Sequence, residues 1–155
     1  MQPNPIFVVG TGRCGSTLLS NMINLHPSIL SLSEFFVSLS PYGFTKKTLD
    51  GQSFWGILST PRLKVDLMMR HRIGIPEFLY HSNEGVPPIL LMTLPHITDE
   101  PEALFEEVKS YVLTLPEDLL SNQYLRLFEF LKTNFKKDIW IERSGGSLRF
   151  VAKLS

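Results

Sequence analysis

An apolar run, a glycine-rich octet and an amphipathic stretch follow one another at the start of this chain, and few folds accommodate that order. Pro5-Ile6-Phe7-Val8-Val9 is short, rich in β-branched residues and closed by a glycine, the pattern of a buried strand in a parallel sheet. Ser16 to Leu25 reads as a helix with Leu18, Leu19, Met22, Ile23 and Leu25 as its apolar side, and Pro27 prevents its continuation. Ile29-Leu30-Ser31-Leu32 then reads as a second strand. Strand, glycine loop, helix, strand is the opening of a doubly wound α/β fold.

The loop itself, Gly10-Thr11-Gly12-Arg13-Cys14-Gly15-Ser16-Thr17, stands where a phosphate cradle must stand, between a strand and a helix. Glycines let the backbone turn tightly and approach an anion, and the free N–H groups and dipole of the helix start favour negative charge. Arg13 adds a planar donor fork and Ser16 and Thr17 add hydroxyl donors. The alternative is a structural turn holding a satisfied arginine. Three other phosphate motifs fit less well. A nucleoside triphosphatase loop requires lysine after its last glycine, and Ser16 follows Gly15 here. The glycines of the dinucleotide pattern occur as Gly10, Gly12 and Gly15, but the acidic residue expected about 20 residues on at a strand end is not clearly met, and Glu34 would have to serve. A cysteine phosphatase loop fails because Ser20 occupies the arginine position, so Cys14 reads as a small loop residue and not a nucleophile.

Further along, Phe54 to Leu58 and Arg62 to Arg72 read as short helices, and Pro87-Pro88 breaks the chain. Asp99 is the expected N-cap of the next helix, with Pro101 in its first turn and Glu102 three residues after the cap. Leu104, Phe105, Val108, Tyr111, Val112 and Leu115 form one apolar stripe. Leu120, Tyr124, Leu127, Phe128, Leu131 and Phe135 form a second, and both read as core packing. Asp138-Ile139-Trp140-Ile141-Glu142 is another buried-strand candidate, leading into the polar turn Arg143-Ser144-Gly145-Gly146-Ser147. Arg62, Lys64, Arg70, His71 and Arg72 form a small basic cluster, either a solvated helix face or a surface for an acidic acceptor.

Composition narrows the functional classes. With 43% hydrophobic and 19% charged residues in 155, the chain is that of one globular domain. A formal net charge of zero provides no field for gathering nucleic acid or anionic lipid. The single cysteine excludes an intrachain disulfide, the four histidines are scattered, and no metal-ligand set is expected. No secretory leader or membrane helix is legible, so the expected location is cytoplasmic.

Two motifs in order suggest a family. The segment from Pro5 to Leu19, with Leu25-His26-Pro27 behind it, resembles the opening of sulfotransferases that use 3′-phosphoadenosine 5′-phosphosulfate (PAPS). The closest branch contains the bacterial and tyrosylprotein enzymes. Their loop, [KR]-S-G-[ST]-T-[LW], is met by Arg13 to Leu18 with Cys14 in place of serine. Trp140-Ile141-Glu142-Arg143-Ser144 is similar to that branch's W-x-E-K-[ST]-P, with Gly145 in place of proline.

The resemblance implies a three-layer, phosphate-loop-like αβα fold with a parallel sheet, here one domain over residues 1–155, incomplete at its C-terminus. It implies a 5′-phosphosulfate loop at 10–17, a helical acceptor-side segment at about 45–135 and a second cofactor-side motif at 140–147. Gly12, Arg13, Cys14, Gly15, Ser16, Thr17, Arg143 and Ser144 would bind PAPS, without a metal. Arg13 and Arg143 would flank the leaving oxygen, and Glu34, after the second strand, would be the base that takes the acceptor's proton; the alternative for Glu34 is a helix-start carboxylate. The family's Arg-Asp-x-Arg strand, which grips the 3′-phosphate, is not in this sequence. The chain alone is therefore expected to be inactive and to self-associate through unpaired strands. The competing readings are a kinase-like or other phosphate-loop nucleotide binder and a non-catalytic binding module. The class of the hydroxyl acceptor is not legible.

Overall fold

A computed structural model describes residues 5–11, 14–45, 47–71, 78–80, 82 and 85–154. Three strands form its main sheet: β1 (Ile6–Val9), β2 (Ile29–Ser33) and the later strand Ile139–Ser144. Two short strands, β3 (Thr48–Leu49) and β4 (Asp118–Leu119), pair antiparallel elsewhere, so the third strand of the main sheet is β5. The order is β1-β5-β2 and both pairings are parallel. The last strand in sequence therefore sits in the middle. Its register sets Arg143 level with Val8 on one side and Ser33 on the other. The carboxyl ends of all three strands thus coincide, and Gly10, Glu34 and Gly145 leave the sheet along one edge.

Alternation along the strands assigns two faces. Leu30, Trp140 and Phe7 point to one side, where Phe7 meets Trp140 edge-on with ring centroids 5.7 Å apart. That side is covered by α2 (Phe35–Leu39) and α8 (Leu120–Asn134). Phe35 and Phe36 of α2 pack on Tyr124 and Phe128 of α8, and Phe128 packs on Trp140, so one aromatic cluster joins sheet and helices. Ser31, Ser33 and Arg143 point to the other side, toward α1 (Ser16–Asn24). The result is α/β with a three-stranded parallel sheet between helical layers.

Between β2 and β5 the chain forms a helical body: α3 (Gly51–Ser59), α4 (Leu63–Arg70), α5 (Pro88–Leu91), α6 (Leu94–Ile97) and α7 (Pro101–Val112), then α8. Leu104, Val108, Val112 and Leu115 of the first apolar stripe are buried, as are Leu120, Tyr124, Leu127, Phe128 and Leu131 of the second. Among the described residues no helix is long and apolar enough to cross a membrane.

Two local expectations are corrected. Asp99 does not cap α7. The N-cap is Glu100, which makes no side-chain cap bond, and the Thr98 hydroxyl takes the Glu100 N–H instead at 3.1 Å. The helix α1 does not turn its apolar stripe inward. Leu18, Met22 and Leu25 are 66%, 62% and 86% exposed, whereas Ser20 is fully buried. The reason lies on β2. Its facing residue is Ser31, whose hydroxyl lies 2.8 Å from that of Ser20 and also donates to the Ser20 carbonyl. A polar strand face selects a polar helix contact, because a buried hydroxyl without a partner is costly.

Candidate anion and acceptor site at the strand ends

Where β1 ends, the loop is tied to the turn after β5. The Gly10 N–H donates to the Ser147 hydroxyl at 3.3 Å, and the Leu148 N–H donates to the Gly10 carbonyl at 3.2 Å. Gly12 and Arg13 lie outside the described residues. Cys14 is exposed and is in no disulfide. Gly15 then starts α1 in the left-handed region, φ 80°, which a residue with a Cβ rarely adopts. That turn directs the first residues of the helix, Ser16 and Thr17, into a cavity of about 570 Å³.

Glu34 closes β2 and forms the opposite wall. It too is left-handed, φ 58°, an uncommon state for a non-glycine residue. Its surroundings enforce it. The Glu34 N–H donates to the Arg143 carbonyl at 2.7 Å, and its carboxylate accepts from the Arg143 guanidinium and, at 3.0 Å, from the Gly145 N–H. The position after Ser144, proline in the resembling family, is glycine here, and a proline would supply no such donor. A Cβ on Gly145 would stand 3.2 Å from a carboxylate oxygen of Glu34.

Arg143 is 2% exposed and Glu34 6%. A second guanidinium nitrogen of Arg143 donates to the Ser33 hydroxyl at 2.7 Å, while its Nε has no hydrogen-bond partner among the described residues. A buried pair held by extra hydrogen bonds fixes both side chains in orientation. The described lining of the cavity has three cations, Lys64, Arg143 and Arg149, against the one carboxylate of Glu34. That balance gives the described lining an excess of positive charge. His96, on α6, hydrogen-bonds Ser20 at 3.3 Å, and burial together with the Arg143 charge holds its pKa below the ordinary value. Among the described residues no three His, Cys, Asp or Glu side chains gather as a metal site.

Ser144 departs from its expected place. It is not among the residues lining the cavity. Its hydroxyl points to the other face of β5, accepts the N–H groups of Phe36 and Val37 at 3.0 and 3.3 Å, and is bonded to Glu142. It therefore caps α2, because strand alternation puts Arg143 and Ser144 on opposite faces. Glu142 was not singled out from the sequence. It is wholly buried, and desolvation pushes its pKa up to about 8 against the lowering effect of Ser144 and the Phe36 N–H. The available signal was a carboxylate inside the apolar run Trp140-Ile141-Glu142. Arg149 and Ser33 were also missed, the one two residues beyond Ser147 and the other directly before Glu34.

Set against protein families, curated proteins and solved structures, the chain matches none.

Proposed function

We propose that this chain is the donor-binding part of a PAPS-dependent sulfotransferase, with a phosphate-loop-like αβα core. One observation carries the reading: the two segments singled out by motif, the start of α1 and the end of β5, meet Glu34 in a single cation-lined cavity at the carboxyl edge of a parallel sheet. The buried Arg143 Nε, without a hydrogen-bond partner among the described residues, fits an anionic ligand. When bound, PAPS supplies a sulfuryl group on a phosphate leaving group. Ser16, Thr17 and the N–H groups at the start of α1 hold the phosphosulfate, and Cys14 and Gly15 contribute backbone. Roles for Gly12 and Arg13 rest on the sequence alone. Arg143 would offer positive charge to the leaving phosphate. Glu34 would accept the proton of the acceptor hydroxyl. The Arg143 guanidinium and the Gly145 N–H orient this carboxylate toward the cavity that it lines.

The second reading is a kinase-like phosphate binder. It is favoured by Lys64, a lysine in the cavity wall although none follows Gly15. Calorimetric titration with 3′-phosphoadenosine 5′-phosphate, and separately with ATP and magnesium, distinguishes the two. The sulfotransferase reading requires tighter binding of the bisphosphate. Tighter binding of ATP with magnesium would sink it.

A further inference from the structure

The cavity is built by two different parts of the chain, and they differ in chemistry. The strand ends contribute Ser16, Thr17, Glu34, Arg143 and Arg149. The facing wall comes from α2 with the turn after it, from α4, and from single residues beyond. Its contributions are Val37, Pro41, Val65, Met68, Phe78 and Met92. Among the described residues the polar ones on that wall are Ser38, Ser40 and Lys64, and the Ser38 hydroxyl donates to the Phe35 carbonyl at 2.7 Å.

Resting on the donor reading above, we infer that the acceptor is an alcohol or phenol on an apolar body, and not a sugar. A sugar entering this space would bring several hydroxyls against six apolar side chains, and each one buried without a partner is penalised. An aryl or alicyclic body loses nothing there and gains by leaving water. The volume, about 570 Å³, is that of a site for a whole small molecule and far exceeds a lone anionic group. Met68 and Met92 add adaptability, since unbranched thioether chains repack around rings of varied outline. The reacting hydroxyl then meets the strand-end wall, where Ser16, Thr17, Glu34 and Arg143 stand. Lys64, on the exposed face of α4, extends the site to acceptors that carry an added negative charge.

The test is ligand-observed saturation-transfer NMR on the full chain saturated with 3′-phosphoadenosine 5′-phosphate, using naphthol and methyl glucoside as probes. Naphthol should bind at least about tenfold more tightly than the glucoside. Met68→Asp should weaken naphthol about tenfold or more while leaving bisphosphate affinity within about twofold. Val65→Asn serves as the second variant, and circular dichroism checks folding of both. Equal or tighter binding of the glucoside, no binding of naphthol, or displacement of naphthol by the bisphosphate would each overturn the inference. Failure of the donor reading is seen separately, as absence of bisphosphate binding. Naphthol bound under that condition would mark an apolar ligand site of another kind, and the acceptor assignment would fall with the donor.

Discussion

Glu34 and Arg143 hold one another through both backbone and side chain: the Glu34 N–H bonds to the Arg143 carbonyl at 2.7 Å, and the Arg143 guanidinium bonds to the Glu34 carboxylate. The two are 109 residues apart in sequence: Arg143 lies in β5, and Glu34 directly follows the adjacent parallel strand β2. One consequence is that the candidate base and the candidate anion donor cannot be displaced independently.

Removing one partner leaves the other buried and uncompensated. Glu34→Ala should therefore destabilise the fold by about 3–5 kcal/mol, the range for breaking a buried pair. Glu34→Gln keeps an acceptor oxygen and should cost less. Chemical denaturation measures both. A loss for Glu34→Ala below about 1 kcal/mol, the ceiling typical of exposed pairs, would show that water screens the contact.

Arg143→Lys tests the fork. A single ammonium cannot reach Glu34 and Ser33 together and still present a donor to the cavity. Affinity for 3′-phosphoadenosine 5′-phosphate should fall about tenfold or more, read by calorimetry. Unchanged affinity would assign Arg143 to structure alone.

Gly145→Pro would install the residue usual in the resembling branch, yet here it should harm. It deletes the N–H that binds Glu34 and places carbon 3.2 Å from the carboxylate. A loss of about 1–3 kcal/mol is expected, the cost of an unmade bond to a buried group. Gly145→Ala keeps the N–H and should lose less. A neutral or stabilising proline would mean that the Gly145 bond contributes nothing.

The pH dependence follows from Glu142. Its pKa is raised from 4.5 to about 8 in the folded chain, chiefly by desolvation. Between those values the folded state holds a proton that the unfolded state has lost. The contribution to stability is thus complete below the unfolded value and is lost as pH rises through the folded one. The slope is at most about 1.4 kcal/mol per pH unit. Glu142→Gln should flatten it, and denaturant melts of both proteins from about pH 5 to about pH 8 provide the comparison. Parallel curves for the two would show that Glu142 is ionised in the fold.

Much of the fold was legible because periodicity encodes it. The strands at Ile6, Ile29 and Ile139 and the stripes of α7 and α8 follow from spacing alone. Direction was less legible. The α1 sequence shows an apolar side but not that Ser31 would claim Ser20, because that depends on which strand face the helix meets. The candidate site was partly readable for the same reason. Ser16, Thr17, Glu34 and Arg143 each stand at the end of an element, and sheet topology brings element ends together. Ser144 was misplaced because one step along a strand reverses the face, and motif matching carries no sense of face. The apolar wall from Val65, Met68, Phe78 and Met92 was invisible, since tertiary folding alone sets those residues opposite Glu34.

The placement of β5 between β1 and β2 has a temporal meaning. A ribosome delivers the two outer strands first, and they cannot touch until the strand that separates them has been made. Until Ile139–Ser144 emerges, Glu34 has no guanidinium, Gly10 has no tether at Ser147, and α2 has no cap at Ser144. Assembly of the sheet and assembly of the anion pocket are then one late, long-range event, of the kind that slows folding. A ligand held at the strand ends would act as a clasp on the finished sheet, and its binding would report that the chain had closed.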